Sequence, residues 1–157
     1  MTYSLRVFAV CISFFSFQAF SIDNKYIFPN TAPSFSSYGN AGLLNMPGAI
    51  AYATTKHAAM GLAENLAIMF GNDGIKVSAL CPQLVDTDML KSSGEISEDH
   101  PLLKDGVLSA DFVANETIKG INAEKFLILP HKQVEKYIQG KAFDYDSWIE
   151  AVRELAP

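Results

Sequence analysis

The sequence predicts an α/β fold, with parallel strands covered by helices, and three observations carry that expectation. Residues 51–70 supply Ala, Leu, Met and Glu with no interior proline, which favours a helix. Ile75, Val77, Ala79, Leu80 and Cys81 form a short apolar run that stops at Pro82, too short and too β-branched for a helix. Phe126-Leu127-Ile128-Leu129, stopped by Pro130, repeats that pattern, with helical sequence before and after it. Helix, strand, helix, strand, helix is the alternation of a parallel sheet flanked by helices.

Taken in order, the elements each have a local cause. Residues 22–50 are rich in Ser, Asn, Gly and Pro and read as an irregular loop. The helix over 51–70 is broken in composition only by Gly61, and Gly71-Asn72-Asp73-Gly74 ends it in a tight turn. Residues 91–108 are polar, with Ser92, Ser93, Gly94, Pro101 and Gly106, a stretch long enough to be a mobile lid or a binding loop. Ser109 is placed to cap a helix running through Ile121, because its hydroxyl can accept a backbone N–H of the first turn. Residues 132–155 read as one or two amphipathic helices bearing Tyr137, Tyr145 and Trp148. The tripeptide Asn115-Glu116-Thr117 is a formal glycosylation acceptor, but it falls inside a predicted helix.

The first 21 residues form a signal-like apolar segment: Arg6, then an apolar run from Val7 to Phe20, then Ala19-Phe20-Ser21 with small residues of the kind found at a cleavage site. Fourteen residues at about 1.5 Å each would reach roughly 21 Å, short of the roughly 30 Å of a bilayer core, so no membrane span is expected. The same run also fits a buried strand, since a short apolar stretch has no period that settles its conformation.

Composition narrows the function. Twelve basic against seventeen acidic side chains, net charge −5, make nucleic acid a poor partner. The acids concentrate in residues 86–157, fourteen against eight bases, as on a solvated face. Cys11 and Cys81 form no Cys-x-x-Cys pair, and His57, His100 and His131 are scattered as surface or loop residues, so no metal site is expected. Asp86 and Asp88 read as loop or helix-start acids rather than a paired acid and base.

Tyr52 and Lys56 stand four apart and therefore share one helix face, where both reach one bound molecule. A phenol of ordinary pKa near 10 is a weak base at neutral pH, and a neighbouring cation favours its ionised form. Tyr137 and Lys141 repeat the spacing, but in an acidic amphipathic tail, where they read as surface.

What separates the two pairs is context. Ala41-Gly42-Leu43-Leu44 precedes Tyr52, and Gly74-Ile75-Lys76-Val77 and then Pro82-x-x-Val85-x-Thr87 follow it. In that order the stretch from Ala41 to Leu90 resembles the second half of a short-chain dehydrogenase/reductase, and the tail to Pro157 is compatible with the closing strand and helix of that family. The resemblance implies a C-terminal portion of a Rossmann-like, doubly wound parallel sheet, residues 41–157 forming a catalytic half-domain, with the N-terminal dinucleotide-binding half missing. It implies hydride transfer between NAD or NADP and a small alcohol or ketone. Tyr52 would be the acid/base and Lys56 would hold the nicotinamide ribose and lower the tyrosine pKa, while Pro82, Val85 and Thr87 would line the nicotinamide pocket. It also implies a substrate-covering loop over residues 91–108, a homo-oligomer and a cytoplasmic home, against which the first 21 residues suggest secretion.

Three departures accompany the resemblance. No glycine-rich turn joins a strand to a helix before residue 41, where such a fold holds pyrophosphate. The place of the family's catalytic serine falls on Gly39, leaving Ser34, Ser36 and Ser37 as candidates, Ser37 the nearest. Gln83 stands where the family has glycine, which implies less backbone freedom and more bulk beside the cofactor. The alternative reading is a non-catalytic truncated fragment that acts through protein interfaces or has no activity.

Overall fold

The computed structural model describes residues 6–13, 16–21, 42–45, 48, 50–92 and 101–155. Its elements are β1 (Arg6–Ser13), β2 (Ser16–Ser21), α1 (Ile50–Phe70), β3 (Ile75–Leu80), β4 (Val85–Asp86), α2 (Asp88–Ser92), β5 (Leu108–Ser109), α3 (Ala110–Asn122), β6 (Leu127–Ile128), α4 (Gln133–Phe143) and α5 (Tyr145–Arg153). Short 3₁₀ turns occupy Gly71–Asp73 and Pro101–Asp105. Most of the irregular segment over 22–50, with Ser34, Ser36, Ser37 and Gly39, lies outside the described residues, as does His100.

The main sheet has four strands in the order β2-β1-β3-β6. β1 runs parallel to β3, with Val10 opposite Ala79, and β3 parallel to β6, with Ala79 opposite Leu127. β2 folds back antiparallel on β1. The sheet is thus larger than the two strands expected, because the apolar run near the amino terminus forms strands here. A smaller parallel pair joins β4 to β5, Val85 opposite Leu108.

Alternation along β3 divides the core. Val77, Ala79 and the following Cys81 face Met60 and Ala63 of α1, with Leu43, Phe126, Leu127 and Leu129 packed around them. On the opposite face Leu80 meets Val85, Val113 of α3 and Ile128. Ala53, Lys56, Met60 and Ala63 are the buried positions of α1, spaced three and four apart as one helical stripe. Ala63 and Ala79 have no exposed surface, so two small side chains set a close approach of helix to strand.

The expected punctuation is present. Gly74, with φ +80°, closes the turn from α1 into β3 through its N–H on the Gly71 carbonyl, a conformation that L side chains rarely adopt. The Ser109 hydroxyl accepts the Phe112 N–H at 3.2 Å and caps α3. The tail divides into two helices at Asp144, whose carboxylate accepts the Ser147 N–H at 3.0 Å and hydroxyl at 2.7 Å. Those two bonds hold the Asp144 carboxyl below the usual carboxylate range. Among the described residues no helix is long and apolar enough to cross a membrane.

Candidate functional site

Helix α1 is longer than the strand it leads into. Its 21 residues span about 31 Å, against about 20 Å for the six of β3. The tight turn at 71–74 sets the end of α1 beside the start of β3, so the first two turns of α1 overhang the carboxyl end of that strand. Tyr52 and Lys56 lie on those turns, at the end of a parallel sheet where α/β folds bind ligands.

The Lys56 stem is buried, and its Nζ stands over the Tyr52 ring, 5.3 Å from the centroid. Burial pushes the Tyr52 phenol up to about 12, opposite to the expected lowering, because withdrawal from water disfavours the phenolate. The outer face of the helix is ordinary: Thr54 and Thr55 donate their hydroxyls to the Ile50 and Tyr52 carbonyls, each at 2.8 Å.

Beyond β3 the chain turns through Pro82, Gln83 and Leu84 into β4, and all three are buried, as is Val85. Thr87 is half-buried, and its Oγ1 accepts the Leu90 N–H at 3.4 Å at the start of α2. Asp86 is exposed and paired with Lys91 at 3.0 Å, and Asp88 lies in the first turn of α2, so both serve local structure. The pair holds the Lys91 pKa above its ordinary value.

Gln83 is 1% exposed, and its N–H donates to His131 Nδ1 at 3.1 Å. The expected loss of backbone freedom does not arise there. Among the described non-glycine residues only Glu124 has a positive φ, so the turn at 83 is open to any L side chain.

Two residues have a different place from the one their sequence suggested. His131 lies in the loop that follows β6, one of the two places expected, but it is 2% exposed and so not on the surface. Lys141 is buried beneath the tail and donates to the Leu43 carbonyl at 2.7 Å, with its Nζ 5.2 Å from the Tyr145 ring centroid. The signals were available: Pro130-His131 stands just past a strand, and Lys141 shares a helical stripe with Val134, which has no exposed surface. Tyr137 does lie outward, donating to Asp105 Oδ1 at 3.0 Å.

Comparison with known proteins agrees with this architecture. The family described as short chain dehydrogenase matches residues 36–97. A short-chain dehydrogenase of Neurospora crassa, srdC, is 36% identical over 61 residues, 38% of this chain and 22% of that protein. Oxidoreductase UcpA of Escherichia coli K12 is 48% identical over 46 residues, 29% of this chain and 18% of that protein. The crystal structure of a short chain dehydrogenase/reductase from Burkholderia phymatum in complex with NAD superposes with TM-score 0.55 and 26% identity, covering 69% of this chain and 46% of that one. The chain therefore spans about a fifth of the length of these curated relatives and just under half of the solved structure. On matched sequence and shared fold together, residues 36–97 resemble the short chain dehydrogenase family, and the fold is that of a solved member of it.

Proposed function

We propose that this chain forms the nicotinamide- and substrate-facing part of an NAD(P)-dependent oxidoreductase site for a small alcohol or ketone. The observation that carries the reading is the shared position of Tyr52 and Lys56 at the carboxyl end of the parallel sheet, one a neutral hydroxyl donor and the other a cation. A ribose diol needs donors of the second kind, and a substrate oxygen needs a proton source of the first. The donor set thus fits the nicotinamide end of the cofactor. Among the described residues no glycine-rich turn leads from a strand into a helix, so the pyrophosphate end has no counterpart there.

The cofactor, when bound, supplies or takes the hydride. Tyr52 remains protonated through neutral pH, since its pKa is pushed up to about 12, and the protonated phenol is the form that donates to a carbonyl oxygen as reduction proceeds. Lys56 binds and orients by charge. The buried wall of Pro82 and Val85 excludes water from that side, and Thr87 flanks it. A homo-oligomer belongs to the same proposal.

The test is turnover by the full chain with NADH or NADPH over a panel of small ketones, compared with Tyr52→Phe. Loss of a positioned acid lowers kcat by about 10²- to 10⁴-fold. A wild-type chain that neither binds reduced nicotinamide dinucleotide nor turns over any ketone would overturn the reading.

A further inference from the structure

The buried imidazole of His131 joins three segments. Its Nδ1 accepts the Gln83 N–H at 3.1 Å, on the turn that leaves β3. Its Nε2 lies 3.3 Å from the Gly106 carbonyl oxygen, at the end of the 101–106 segment. Gln83 N–H can only donate and the Gly106 carbonyl can only accept, so both bonds form in one state alone, the neutral ring with its proton on Nε2. Gly106, at φ +85°, holds a backbone conformation that L side chains rarely adopt, and it directs that carbonyl. One residue earlier, Asp105 receives the Tyr137 hydroxyl from α4, a second tether on the same segment.

We infer that His131 is a positioning residue, which sets the Pro82–Val85 wall against the 101–106 segment; its effect on ligand binding rests on the reading of that wall as the nicotinamide side. On the other side the wall is already held by backbone, through β4 on β5 and the Leu108 N–H on the Leu84 carbonyl at 3.0 Å. The imidazole fixes the adjoining residue, Gln83, which the small sheet does not reach. Among the described residues the charge that acts on the ring is Asp105 of the 3₁₀ segment, which holds the Tyr137 hydroxyl from α4, while Pro82, Gln83 and Leu84 carry none.

Two variants separate the bonds. In His131→Asn the amide oxygen stands near the place of Nδ1 and keeps an acceptor for Gln83, whereas His131→Gln places its amide nearer Nε2 and keeps only the donor to Gly106. Amide hydrogen exchange at Gln83 is expected to be slow in the wild type and His131→Asn and faster by about tenfold or more in His131→Gln, as follows when one buried donor loses its acceptor. NADH affinity, read by fluorescence titration, is expected to fall about tenfold in His131→Gln and to be largely restored in His131→Asn. The ¹⁵N shifts of the wild-type ring, which need no variant to fold, are expected to show Nε2 protonated and Nδ1 bare. A proton on Nδ1, or fast wild-type exchange at Gln83, overturns the proposal, and so does an equal response of both variants at that amide. Protection at Gln83 that follows this pattern in a chain that does not bind NADH supports the His131 clip while refuting the proposed function, so the two failures are told apart.

Discussion

The Lys56 ammonium stands over the Tyr52 ring, 5.3 Å from its centroid. In that position cation and ring stabilise each other, while burial raises the pKa of the hydroxyl. The folded-state pKa of Tyr52, about 12, exceeds the ordinary value of 10. The folded chain therefore keeps a proton that the unfolded chain releases between those values. Its contribution to stability is present in full below pH 10 and is lost as pH rises toward 12. Titrating phenolate absorbance should show a tyrosine ionising near pH 12 that disappears in Tyr52→Phe, besides Tyr137, which burial and its bond to Asp105 also hold above the ordinary value. Ionisation of every tyrosine near pH 10 would contradict it.

Lys141 and Tyr137 give an internal contrast on one helix. Lys141→Met leaves the Leu43 carbonyl without the donor now 2.7 Å away, and truncating a charged hydrogen bond of that kind costs about 1–3 kcal/mol. Tyr137→Phe removes an exposed bond to Asp105 and should cost less than about 1 kcal/mol. Urea unfolding of the two variants checks the order. The larger loss at Lys141 should come with faster amide exchange over residues 42–45, the segment it anchors ahead of α1.

These contrasts show what could be read from the sequence and what could not. The α1 helix, the β3 strand, the Ser109 cap and the pair at Tyr52 and Lys56 follow from local chemistry, and each is where its pattern puts it. The amino-terminal run was ambiguous because apolar residues without a period suit a strand as well as a leader, and only pairing with β3 gives it a conformation. Composition misled at His131 and Lys141. A polar residue is assigned to the surface by type, whereas burial depends on partners 48 and 98 positions away along the chain.

Gly120 offers a test of packing between α3 and β6. An added Cβ would stand 2.5 Å from Ile128 Cδ1, 2.6 Å from Cγ1 and 3.2 Å from Cγ2, all on a side chain 5% exposed. Gly120→Ala gains about 1 kcal/mol in helix propensity. Overpacking a filled core costs about 1–3 kcal/mol, so the variant should be less stable in spite of the better helix former. Combined with Ile128→Ala, which removes all three atoms, the same substitution should become neutral or favourable, and a double-mutant cycle measures that coupling.

His131 supplies the acid-side counterpart of Tyr52. Burial lowers its pKa below the ordinary 6.5, against smaller opposing effects from the Gly106 carbonyl and the Asp105 charge. As pH falls through 6.5, the unfolded chain takes up a proton that the folded ring refuses. Stability is therefore present above that pH and is lost as pH falls toward the folded-state pKa. Protonation also puts a hydrogen on Nδ1, where the Gln83 N–H must be accepted, so the bond and the stability should fail together. Urea midpoints between pH 8 and pH 5 should fall in the wild type and fall less in His131→Gln, which has no ring to protonate. Equal slopes in the two proteins would mean that other carboxylates or histidines carry the acid response.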